Sequence, residues 1–204
     1  MMTTPIEEHW DAVWAQRAPE EVAWFEPVPS TLPIVLANST PADSVLDVGA
    51  GTSSLATELV EAGYSDVSVL DVSRRALSAS RAAMWQHTEE LDWIHADVTS
   101  FVPRRTWRVW HDRAVFHFLT DERARAGYRA AASAAVGSGG VLIVATFGPD
   151  GPDRCAGLPV VRYDVGELAA EFAPDFEFVA GAPITPPSPQ GDQRPYVAVV
   201  LRRR

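Results

Sequence analysis

The chain has 204 residues, 47% hydrophobic and 22% charged, which suits one α/β domain with a full-sized core. A net charge of −10 opposes approach to a phosphate backbone, and the apolar runs are too short and interrupted to span a bilayer, so nucleic acid and membrane are poor partners. Cys155 is the only cysteine, so no internal disulfide can form; with no basic, apolar signal segment at the N-terminus, a reducing cytoplasm is the expected compartment.

In chain order, residues 5–25 form a tryptophan-rich segment in which Trp10 and Trp14 share a helix face and Trp24 follows. Pro27, Pro29 and Pro33 mark a turn before a helix at Leu32–Ala37. A strand Ser44–Val48 leads into a helix Ser53–Ala62 that Gly63 ends. Val67–Leu70 is a second strand ending in Asp71, followed by a helix from Ser73 to His87; Trp93–Ala96 is a third strand ending in Asp97. Trp107–Trp110 is the fourth, with His111-Asp112-Arg113 at its end and a short helix over Ala114–Leu119. A long alanine-rich helix opens at Asp121-Glu122, and Gly137–Gly140 is expected to stop it and turn into a fifth strand, Val141–Phe147. Gly148–Pro159, rich in glycine and proline, reads as loop, Asp164 opens a helix to Phe172, and Phe176–Val179 and Tyr196–Leu201 are the last strands, joined by a proline-rich Pro183–Pro195 loop. The sum is a doubly wound, seven-stranded, Rossmann-like α/β sheet with an antiparallel terminal strand: a single domain over 41–204 with an N-terminal cap over 1–40.

The stretch Val45–Ser54 carries the functional signal. Apolar residues run into Asp47, then Gly49 permits a tight strand-to-helix turn and Gly51 lets a ligand approach the backbone. The next helix points free N–H groups at that ligand. The dinucleotide fingerprint asks for a third glycine where Ser54 stands, and the carboxylate of Asp47 would repel a pyrophosphate but bind an ammonium. Both departures favour S-adenosylmethionine (SAM) over NAD. Asp71 is placed to accept from the ribose hydroxyls, and Asp97 from the adenine amine with Val98 packed on the ring. Asp71 or Asp97 alone reads more readily as a helix or turn cap than as a ligand; three strand-end acids around a glycine turn make the cofactor reading.

These residues resemble the class I SAM-dependent methyltransferases over nearly the whole chain. His9-Trp10-Asp11, Trp14, Trp24, Val45–Ser54, His111–Leu119 and Ala145–Pro152 look like a bacterial subfamily of that group, and more distantly like lysine methyltransferases acting on citrate synthase and an elongation factor. The resemblance implies that Trp10, Trp14 and Trp24 lie against the cofactor and that Gly49 and Gly51 line its methionine part, while Ala50 between them tells little. It also implies that Val72 sits beside Asp71 at the ribose and that Arg113 stands near the cofactor, where relatives have lysine; arginine cannot serve there as a base.

His117, on the short helix bordering the cleft, is a candidate catalytic base, weighed against a packed histidine; on His111, in the strand itself, packing weighs more heavily. Cys155 reads as a loop residue or pocket lining, the pairs Glu7-Glu8, Glu20-Glu21 and Glu89-Glu90 as solvated faces, and no spacing suggests a metal site. The expected activity is methyl transfer to O, N or S of a small-molecule acceptor. A protein lysine acceptor, a SAM-binding protein without turnover and an NAD-dependent oxidoreductase are the alternatives.

Overall fold

The protein is described by a computed structural model covering residues 4–85, 87–186 and 194–204. Helix α1 spans Pro5–Gln16; the Thr4 hydroxyl accepts from Glu7 N at 3.3 Å and Pro5 takes the first turn, where no N–H is needed. Helix α2 (Leu32–Ala37) follows the proline-marked turn. Then come β1 (Val45–Val48), α3 (Leu55–Glu61), β2 (Val67–Asp71), α4 (Arg74–Ala83), β3 (Leu91–His95), β4 (Trp107–Arg113), α5 (Glu122–Ala135) and β5 (Val136–Phe147). A two-residue hairpin, β6 (Arg154–Cys155) and β7 (Leu158–Pro159), precedes α6 (Val165–Ala170), β8 (Phe176–Ile184) and β9 (Tyr196–Arg203).

The seven-stranded sheet has the order β3-β2-β1-β4-β5-β9-β8. Strands β3 to β5 pair in parallel and β9 runs antiparallel between β5 and β8. Buried on both faces, the central strands split their side chains alternately. Leu46, Val48, Trp110, Leu142 and Val144 pack on the α5–α6 side, and Val45, Val67, Val109, Val141 and Ile143 pack against α2, α3 and α4. The chain order reverses between β1 and β4, which opens a crevice at their carboxyl ends.

Three expectations change. Gly137–Gly140 does not stop the chain between helix and strand but lies inside β5: Trp107 pairs with Val136 and Val109 with Val141, so the glycines form a bulge against β4. A Cβ on Gly140 would stand 2.9 Å from Arg108 O, so only glycine admits that approach. Gly148–Pro159 is not all loop, since it holds the β6–β7 hairpin. The short helix after β4 is a single 3-10 turn, Phe116–Phe118. Of the Pro183–Pro195 loop, residues 187–193 lie outside the described residues, and β8 runs on to Ile184.

Candidate active site

A cavity of about 500 Å³ lies at the carboxyl ends of β1 to β4, roofed by the N-terminal segment. Its floor is the glycine turn. Gly49 and Gly51 both have left-handed backbone, φ +61° and +56°. A Cβ on Gly49 would meet Val115 Cγ2 at 2.0 Å, and one on Gly51 would meet the Trp14 ring at 2.9 Å. Glycine is therefore needed twice at each position, for the turn and for the neighbour. Ala50 also lines the space.

Asp71 is only 6% exposed. Its Oδ2 accepts from Gly51 N at 2.8 Å and its Oδ1 from Ser73 N at 2.7 Å. Burial nonetheless pushes its pKa up to about 6, and those two N–H groups oppose the rise. Val72, Asp97 and Val98 line the same wall; Asp97 Oδ1 caps the next turn through Thr99 N at 2.9 Å.

Asp47 meets His111 across the β1–β4 pair: His111 Nδ1 donates to Asp47 Oδ1 at 2.7 Å, and His111 Nε2 lies 2.8 Å from Thr31 Oγ1. The second oxygen, Asp47 Oδ2, is buried with no hydrogen-bond partner among the described residues, in a residue that lines the cavity. An orphaned carboxylate oxygen in such a wall is a ready acceptor for a cationic group.

The roof is aromatic. Trp24 packs edge-to-face on Trp10 (6.2 Å between centroids) and on Trp14 (6.1 Å), and Trp10 packs on Phe118 (5.1 Å). Arg113 Nη1 donates to Trp24 O at 3.2 Å and pairs with buried Glu26 at 3.0 Å. It braces the roof, and its charge is matched by Glu26. The roof is tied down by Glu7, which is buried rather than solvated and bonds Arg74 and His95, each at 3.2 Å. Asp11 accepts from the Ser73 hydroxyl at 2.6 Å.

His117 is the main correction. It is fully buried, and its ring packs on Phe118 and Phe147 away from the cavity wall. Its Nδ1 accepts from Phe147 N, and burial lowers its pKa to about 3. It is a core histidine and leaves the set of catalytic candidates. Cys155 does line the cavity, but burial raises its thiol to about 11, so at neutral pH it is no nucleophile. Sequence reasoning missed Glu26 and Thr31 and gave His111 no part in the site, because their contacts join residues 64 to 87 positions apart. Among the described residues no cluster of His, Cys, Asp and Glu is set to hold a metal ion, and no helix is long and apolar enough to cross a membrane.

Residues 45–140, the half-sheet that builds the cavity floor, match the family described as methyltransferase domain. That match covers 96 of the chain's 204 residues. The match fits the cavity, which has a glycine turn and strand-end acids and lacks the third glycine of the dinucleotide fingerprint. The eEF1A lysine and N-terminal methyltransferase of Mus musculus is 23% identical over 117 residues, 56% of this chain, and the matched stretch spans 17% of that relative. Among solved structures, one from work on the conversion of a disulfide bond into a thioacetal group during echinomycin biosynthesis has a TM-score of 0.78 at 20% identity, covering 97% of this chain and 92% of that one. The N-methyltransferase NodS of Bradyrhizobium japonicum, in complex with S-adenosylhomocysteine (SAH), has a TM-score of 0.70 at 14% identity, covering 96% of this chain and 98% of that one. The chain shares the fold of these two structures over nearly its whole length.

Proposed function

We propose that this protein transfers the methyl group of SAM to an O, N or S atom of a small-molecule acceptor. The observation that carries the proposal is the roofed cavity. It joins the glycine turn, the orphaned Asp47 Oδ2, Asp71, Asp97 and three tryptophans. When bound, SAM supplies an electrophilic methyl on a sulfonium, and SAH is left after transfer.

The roles follow from the side chains. Asp47 Oδ2 takes the ammonium, with His111 and Thr31 fixing the carboxylate from behind. Asp71 has lone pairs beyond the two that the backbone uses and receives the ribose hydroxyls. Asp97 and Val98 take the adenine. The Trp10, Trp14 and Trp24 faces attract a sulfonium cation and exclude water. Of the N-terminal segment, residues 4–40 act as the cap that closes the site. Positive charge disperses during transfer, so holding the reactants aligned in a dry cavity does most of the work. His117, in the core, is not the base; the acceptor's proton passes to bulk solvent after transfer, when the product leaves the cavity.

The roof favours a small acceptor over a protein lysine, because the N-terminal segment and the β6–β7 hairpin both contribute walls to the cavity. The single cysteine suits an enzyme of the reducing cytoplasm. Calorimetric titration with SAM, SAH and NAD tests the reading. Binding of the first two without heat from NAD supports it, and methyl transfer to a panel of small phenols, amines and thiols then identifies the acceptor atom. Absence of SAM and SAH binding overturns it.

A further inference from the structure

Asp11 belongs to the His9-Trp10-Asp11 stretch that stands out in the sequence, yet it is not part of the cavity wall. Its Oδ1 accepts from the Ser73 hydroxyl at 2.6 Å and from Arg75 N at 3.1 Å. Arg75 N is a first-turn N–H of α4 with no partner inside that helix, so a carboxylate from another element caps it. One turn earlier on the same face of α1, Glu7 bonds Arg74 and His95, each at 3.2 Å. His95 Nε2 also donates to Val72 O at 2.9 Å. Residues 72–75, the four that follow Asp71, are thus all held to the two α1 acids, Val72 by way of His95.

Asp71 is oriented by two backbone donors, Ser73 N at its Oδ1 and Gly51 N at its Oδ2. Helix α1 stands behind both of them. Asp11 holds Ser73 by its hydroxyl, and the Trp14 ring lies so close to Gly51 that an added Cβ would meet it at 2.9 Å. Asp11 and Trp14 therefore converge on the two short segments that set one carboxylate. A carboxylate that receives two neighbouring hydroxyls needs its plane fixed, because one rotation spoils the geometry of both bonds.

We infer that Asp11 is a positioning residue for the cofactor: through Ser73 it fixes the plane of the Asp71 carboxylate that receives the ribose hydroxyls. This rests on the proposed role of Asp71 and deepens it. Asp11 acts by way of Asp71, so its removal weakens the hold on the ribose hydroxyls and leaves the hold on the rest of the molecule.

The test is a calorimetric titration of the full chain, and of its Asp11→Ala and Asp11→Asn variants, with SAH and with 2′,3′-dideoxy-SAH, which lacks both hydroxyls. Asparagine keeps an oxygen in the place of Oδ1 and still accepts from Ser73 and Arg75. Urea midpoints check that the variants fold. Where Asp11→Ala does not fold, Ser73→Ala, which cuts the same link from the other side, decides in its place. A loosened roof weakens both ligands alike, whereas loss of a positioning residue weakens only the ligand with hydroxyls. The expected result is that the wild type prefers SAH by about tenfold, that Asp11→Ala lowers this preference to about twofold, and that Asp11→Asn restores most of it. If Asp11→Ala keeps the wild-type preference, or if its two affinities fall together, the inference is overturned while the cofactor reading stands. If the wild type binds both ligands equally, Asp71 does not hold the ribose and the inference falls with that assignment. If the wild type binds no SAH, the methyltransferase reading itself fails and takes the inference with it.

Discussion

Asp71 and Asp112 are strand-end aspartates with nearly the same local wiring and opposite destinations. Each has one carboxylate taken by two backbone N–H groups: Gly51 and Ser73 for Asp71, Val115 and Phe116 for Asp112. Burial pushes both up to about 6. Asp71 sits in the cavity wall, whereas Asp112 points into the core, where the Tyr128 hydroxyl donates to it at 2.7 Å and Trp110 Nε1 donates to that hydroxyl at 2.9 Å. The same device, a buried acid that organises a turn, lines the cavity on β2 and serves packing on β4. The two backbone hydrogen bonds and the direction of the pKa shift do not separate them; the face to which the side chain turns, and the Tyr128 hydroxyl it meets there, do.

The sharpest way to break this comparison is to remove each acid. Asp112→Ala leaves two backbone donors and the Tyr128 hydroxyl without their acceptor, so about 3 kcal/mol of stability is lost. Urea denaturation measures the loss, and SAH affinity of the folded protein stays within twofold of wild type. A second test concerns His117, neutral at about 3 in the fold against an ordinary value of 6.5. The unfolded chain binds a proton below pH 6.5 that the folded one refuses, so this residue costs stability as pH falls from 6.5 toward 3. Relative to wild type, His117→Leu gains about 2 kcal/mol between pH 6.5 and 5, read from urea midpoints at the two values. Asp71 and Asp112 act in the opposite sense: with folded values near 6, they lower stability as pH rises from 3.8 to 6.

Asp71→Ala gives the complementary outcome to Asp112→Ala: SAM affinity falls at least tenfold, ~1.4 kcal/mol, by calorimetry. Unchanged affinity would remove Asp71 from the ribose. The smallest effect is Gly51→Ala. Left-handed backbone costs an alanine about 1 kcal/mol, and its Cβ presses on the Trp14 ring, so thermal unfolding shifts down by a few degrees and SAM binding weakens.

The sheet was readable because its signals are local. Buried strands show apolar runs, and β1, β2 and β3 each lead to an acid at or near the cavity. Helix starts at Ser73, Asp121 and Asp164 show as caps whose side chains bond the first turn. The glycine run in β5 misled because glycine marks a helix end and a bulge alike, and only the pairing with β4 decides between them. His117 misled for a similar reason: its place in the chain borders the cleft, but the single 3-10 turn carries its ring under the wall. Glu7 read as solvated because its partners, Arg74 and His95, are 67 and 88 positions away. The brace of Asp47 by His111 and the pairing of Arg113 with Glu26 were illegible on the same ground, being contacts that only folding brings together.

Ser73 joins the two parts of the site. Its N–H is held by Asp71 of the floor, and its hydroxyl donates to Asp11 of the roof. One serine is thus the shared hinge pin of the chamber's base and its cover. The cover and the base are therefore coupled through one residue, so that a change which moves Ser73 disturbs both.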